Sequence, residues 1–115
     1  MKDIKFNTSN KSTVGTSLCG YVETSYSKLV ELFGEPKDEE TDDYKISTIW
    51  VVENKEGRVL DIYDWKMTVL YDHDGYEIDE FRELPVYNWH IGGNSKIDAD
   101  VLRDFILSQQ PRPKH

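Results

Sequence analysis

The sequence predicts an α+β fold, an antiparallel sheet of about four strands with two helices packed on one face in a two-layer sandwich. Three observations lead there. Two segments carry apolar residues at helical spacing between recognisable capping residues. The segments around them are rich in β-branched and aromatic residues and are joined by short turns, which favours antiparallel pairing. The chain has 115 residues, enough for one hydrophobic core and too few for two.

Residues 1–13 are polar apart from Ile4 to Phe6 and read as an arm or an edge strand ahead of a single domain over 14–108. Leu18, Cys19, Tyr21 and Val22 make an extended lead-in. The first helix is expected over 25–34: Tyr26, Leu29, Val30 and Phe33 fall at i, i+3, i+4 and i+7. Thr24 or Ser25 can accept from an orphan N–H at its start. Gly34 supplies a left-handed stop, and Pro36 forbids continuation. After the charged loop 37–43, residues 44–52 read as a strand. Gly57 takes a positive-φ turn position, and "VLDIYDWK" returns as the second arm of a hairpin whose buried face the alternation leaves open.

Residues 67–85 form an acidic insert, opening with "MTVLY" as a strand extension or a further strand. "PVYNWHI" then predicts a strand with Tyr87, Trp89 and Ile91 on one face and Asn88 and His90 on the other. Gly92 and Gly93 are expected to turn the chain into a second helix capped by Ser95. Its predicted stripe is Ile97, Val101, Leu102, Phe105 and Ile106. The tail 109–115, with two prolines and nothing to bury, reads as disordered.

Composition narrows the function classes. The 22 acidic against 14 basic residues give a formal charge of −8, which argues against direct nucleic-acid binding, since phosphate affinity needs clustered Lys and Arg. No apolar run approaches a membrane span, and the polar start lacks a signal-peptide core. A lone Cys19 rules out an internal disulfide, so a reducing cytoplasm is the expected compartment.

Candidate chemistry is sparse. Cys19, His73 and His90 supply the atoms of a thiol–imidazole pair, but Cys19 lacks a nucleophile turn, and a single cysteine usually serves as a small apolar residue. Asp72 to Gly75 imitates a calcium loop. Aligning Gly75 with the loop glycine, however, puts Leu70 and Phe81 at positions that require carboxylates. No catalytic residue, metal ligand set or cofactor motif is assigned. Gly92 and Gly93 sit where a helix N-terminus could cradle an anion. Against this, Ser95 is needed as a cap, Asp98 and Asp100 would repel a phosphate, and the structural turn is the favoured reading.

Taken together, Gly15–Leu18 with Gly20 and Tyr21, Phe33–Pro36, Ile62–Lys66 and Trp89–Gly93 resemble a pattern shared by small uncharacterised proteins of bacteriophages, prophages and large DNA viruses. The resemblance spans about residues 14–106 and implies a mobile-element context, with the host cytoplasm as compartment and no activity to carry over. The expectation is therefore a small non-catalytic acidic protein that binds a host or phage protein and inhibits or modulates it. Asp72, Asp74, Glu77, Asp79, Glu80 and the 38–43 loop are its interaction surface. The second expectation is a small-ligand module taking a nucleotide or other anion near Tyr63, Trp65, Trp89, His90, Gly92 and Gly93. An enzyme ranks third, and an aromatic-rich sheet of this size is also compatible with a homodimer.

Overall fold

The computed structural model describes residues 6–8, 16–36, 48–65 and 75–109. Among these, the chain forms β1 (Asn7–Thr8), β2 (Ser17–Thr24), α1 (Tyr26–Phe33), β3 (Ile49–Glu53), β4 (Val59–Tyr63), α2 (Ile78–Arg82), β5 (Tyr87–Gly93) and α3 (Lys96–Ser108). The strands join in one antiparallel sheet of order β1-β3-β4-β5-β2. The α+β architecture is the predicted one, with five strands in place of about four and three helices in place of two. Residues 37–47, 66–74 and 110–115 lie outside the described residues, so the start of the strand expected from 44, the "MTVLY" segment and most of the tail are not described.

Helix α1 forms as its sequence dictates. The Ser25 hydroxyl accepts from the Lys28 N–H at 3.1 Å, which satisfies one orphan donor, and Leu29 and Phe33 are buried. Gly34 ends the helix at φ 83°, its N–H returning to the Val30 carbonyl at 2.7 Å. Its ψ of −166° makes this an extended positive-φ stop and not the left-handed helical one expected. The Gly34 carbonyl then accepts from the buried Trp50 indole at 2.8 Å, tying the end of α1 to β3. In the β3–β4 hairpin Gly57 has φ 80°, and the Asn54 side chain accepts from the N–H groups of Glu56 and Arg58.

The hairpin register settles which face is buried. Trp50 pairs with Ile62 and Val52 with Leu60, and all four lie in the core. On β5 and β2 the same face carries Trp89, Ile91 and Val22. Leu29 and Phe33 of α1, Phe81 of α2, and Ala99, Leu102 and Ile106 of α3 complete that cluster, so all three helices send their buried residues to one face. Trp89 is its centre, with edge-on contacts to Trp50 (5.4 Å), Phe81 (5.4 Å) and Tyr87 (5.1 Å). Its indole N–H donates to the Thr24 carbonyl, so the ring is buried without an unsatisfied donor.

Three local expectations are corrected. First, the acidic insert contains α2, which opens with a reciprocal capping box between Glu77 and Glu80 and anchors through Phe81. Second, Gly92 and Gly93 are not a turn. They are the last residues of β5, registered against Leu18 and Ser17, with Gly92 also opposite Asp61. Third, the buried stripe of α3 is rotated. Ile97 is 75% exposed and Val101 is exposed, whereas Asp98 and Ala99 face inward. Asp98 tolerates that place because Arg58 grips both its carboxylate oxygens, at 2.7 and 2.9 Å. The Ser95 cap forms as expected, its hydroxyl accepting from the Asp98 N–H at 3.1 Å.

Candidate functional site

The opposite face of the sheet is where the chemistry collects. Strand alternation that sends Trp50, Ile62, Trp89 and Val22 to the core must send Val51, Asp61, Tyr63, His90 and Tyr21 the other way. His90 stands opposite Tyr21 on one side and Tyr63 on the other. The imidazole stacks on Tyr63 at 5.4 Å and meets Tyr21 at 5.0 Å. Trp65, two residues beyond Tyr63, closes the group at 6.2 Å from Tyr63 and 6.4 Å from His90. Its backbone N–H donates to the Tyr87 hydroxyl at 3.3 Å, which fixes the chain where it leaves β4. Tyr21 is 44% exposed, and Leu18 on the same side of β2 is also exposed. A cross-strand row of four rings is thus open to solvent at its Tyr21 end.

Beside the row, on the same face of β4 as Tyr63, lies Asp61, only 6% exposed. It stands opposite Gly92, and a Cβ on residue 92 would collide with the Asp61 carboxylate. The glycine is therefore required for close approach: it lets the carboxylate lean across β5, the strand that carries His90. Among the described residues, Asp61 Oδ1 is buried without a hydrogen-bond partner, and so is His90 Nδ1. Burial pushes the Asp61 carboxyl up to about 6, against the backbone N–H groups of Asp61 and Gly92, which pull it down. Burial also lowers His90, outweighing the attraction of Asp64. Tyr63 is pushed up to about 12, first by burial and then by the charge of Asp61.

Of the residues expected around the glycine pair, Tyr63, Trp65 and His90 come together and Gly92 borders them. Trp89 does not share that face, being 1% exposed in the core. Gly93 registers against Ser17, and its carbonyl accepts from the Cys19 thiol at 3.4 Å. The backbone of both glycines is in the ladder and is not free ahead of a helix, so the premise of an anion cradle is not met. Tyr21 and Asp61 were not singled out from sequence.

Glu77, Asp79 and Glu80 are exposed on α2, with Glu77 and Glu80 engaged in their mutual cap. Asp72, Asp74 and the 38–43 loop lie outside the described residues, as does His73. Among the described residues no group of three His, Cys, Asp or Glu side chains is placed to hold a metal ion. No helix there is long and apolar enough to cross a membrane.

The arrangement can accept hydrogen bonds through two buried atoms and offer ring faces beside them. A ligand that brings donors and a flat or cationic group is complementary to it, whereas an anion meets an unpaired carboxylate. Comparison with protein-family models finds no match for the chain, and comparison with curated proteins finds none either.

Proposed function

We propose that the chain is a non-catalytic binding domain that engages a protein partner through the face of its sheet opposite the described helices. One observation carries this reading: four rings, Tyr21, His90, Tyr63 and Trp65, stand in a row beside a buried carboxylate whose Oδ1 has no partner among the described residues. Tyr and Trp on a rigid sheet supply contact area at low conformational cost, which is why such residues concentrate at binding hot spots. The charge of −8 favours a partner with a basic surface. The acidic side chains Glu77, Asp79 and Glu80 add to that field and act in steering. The phage-type pattern over residues 14–106 supports a host or phage protein as the partner, encountered in the host cytoplasm.

Selection of peptides from a random library on the immobilised protein tests the reading, with Tyr21→Ala as the comparison. Tyr21 is largely outside the core, so this variant keeps its fold. Recovered peptides must lose affinity by roughly tenfold or more on Tyr21→Ala, as expected for truncating an interface anchor. Peptides indifferent to Tyr21, or none recovered, refute the docking face. Thermal shift against a nucleotide panel separates the small-ligand reading, since a specific binder raises the melting temperature by mass action.

A further inference from the structure

We propose that this face takes an arginine side chain of its partner, the guanidinium lying over the rings of Tyr21, Tyr63 and Trp65 and donating to the Asp61 carboxylate. The assignment rests on the docking reading above and names the group recognised.

Four observations converge on it. Asp61 Oδ1 is buried and has no hydrogen-bond partner among the described residues, in a residue only 6% exposed, so an incoming donor would satisfy it. His90 Nδ1 is a second buried atom without a partner. Burial lowers the imidazole and so favours its neutral form, in which one ring nitrogen accepts. The two residues are diagonal neighbours across β4 and β5, because Asp61 faces Gly92 while Tyr63 faces His90. Diagonal positions stand about 7–8 Å apart, a span a long side chain covers. Gly92 keeps the space between them clear of a Cβ, and the carboxylate leans into it.

The surrounding rings decide the kind of donor. Tyr and Trp faces attract a cation within about 6 Å of the ring centroid, and a buried carboxylate beside them repels an anion. Between the two basic side chains, the burial of Asp61 selects arginine. A guanidinium is planar, presents five donors and sheds water more readily than the compact, strongly hydrated ammonium of lysine. It can therefore reach an acceptor that is almost closed to solvent and still offer N–H groups to a second one.

The test is an amide NMR titration of the full chain with end-blocked Gly-Arg-Gly, Gly-Lys-Gly and the citrulline analogue of the arginine peptide. The arginine peptide must give saturable shifts at Tyr21, His90 and Gly92. Binding of the lysine and citrulline peptides, and of the arginine peptide to Asp61→Asn, must be weaker by roughly tenfold or more, as loss of a charge-assisted contact requires. If Asp61→Asn does not fold, Tyr21→Ala takes its place and must weaken the arginine peptide likewise. Equal binding of citrulline or lysine, unchanged binding to Asp61→Asn, or no binding of the arginine peptide overturns the assignment. These failures are distinguishable from failure of the docking face. Library peptides that depend on Tyr21 but lack arginine would leave the face standing and remove only the guanidinium.

Discussion

Replacing Asp61 by Asn should make the protein more stable at neutral pH, by an amount that the structure fixes. The carboxyl titrates at about 6 in the folded chain against an ordinary value of 3.8. For an acid raised in this way, the favourable contribution is complete below the unfolded value, near pH 3.8, and is lost as pH rises through the folded value, near 6. Above that, the ionised group destabilises the fold by roughly 3 kcal/mol relative to its neutral form. Asparagine imitates the neutral form at every pH. At pH 7.5 Asp61→Asn should therefore gain up to about 3 kcal/mol, and by pH 4 most of that advantage should have gone. Urea unfolding followed through the buried Trp50 and Trp89 measures both. With a slope of about 1–3 kcal/mol per molar, the neutral-pH gain moves the midpoint by roughly 1–3 M. Other ionising groups cancel in the difference between the two proteins. Loss of stability at pH 7.5, or a difference independent of pH, would refute the account of Asp61 as a buried, unpaired carboxylate.

Three further outcomes follow from the packing. Gly92→Ala should cost roughly 1–3 kcal/mol, because its Cβ meets the Asp61 carboxylate. In an Asp61→Ala background that cost should fall by about 1 kcal/mol or more, and strict additivity in the double-mutant cycle would show that the two residues do not touch. Ile97→Ser should stay within about 0.5 kcal/mol of the parent while Leu102→Ala loses roughly 2–5, a contrast in thermal melts that disappears if α3 presents the stripe read from its sequence, where Ile97 is buried alongside Leu102. Arg58→Gln should raise the Asp98 carboxyl, which Arg58 holds below its ordinary 3.8. That contribution is present above 3.8 and lost as pH falls through the depressed folded value. The gap in stability between parent and variant should therefore be widest at neutral pH and close in acid, with a carboxyl NMR titration of Asp98 as the direct check.

Local chemistry was legible wherever one segment decides its own structure. The Ser25 and Ser95 caps, the positive-φ glycines 34 and 57, and the shared face of Trp89 and Ile91 all depend on residues within a few positions of one another. What failed depends on partners far along the chain. Gly92 and Gly93 read as a turn because nothing nearby shows that β2, some seventy residues earlier, pairs with them. Helix α2 has five residues and one buried anchor, too short for a periodic signal. The face of α3 turns on Arg58, which makes a charged residue at position 98 an inward one. His90 was legible as a candidate on the face away from Trp89 and Ile91, but its neighbours Tyr21 and Asp61 required the strand order. A usable clue was present in "VLDIY": with Leu60 and Ile62 inward, Asp61 and Tyr63 must share the other side.

Comparison of the three buried aspartates shows why Asp61 stands apart. Asp98 is held by Arg58 and by the Ser95 hydroxyl, and its carboxyl is correspondingly lowered. Asp64, fully buried, accepts from the Thr48 N–H at 2.8 Å and so joins the start of β3 to the end of β4. Both acids hold elements together, and their burial is offset by the bonds they make. Asp61 joins nothing through its Oδ1, raises the cost of folding at neutral pH, and occupies space that only a glycine at position 92 leaves open. A leucine or valine there would fit the alternation of the sheet without that penalty. Local choices that work against stability tend to mark the places where a protein binds something. By that reasoning the proposed arginine would complete the carboxylate from outside, and the ring row beside it would bring that group into position.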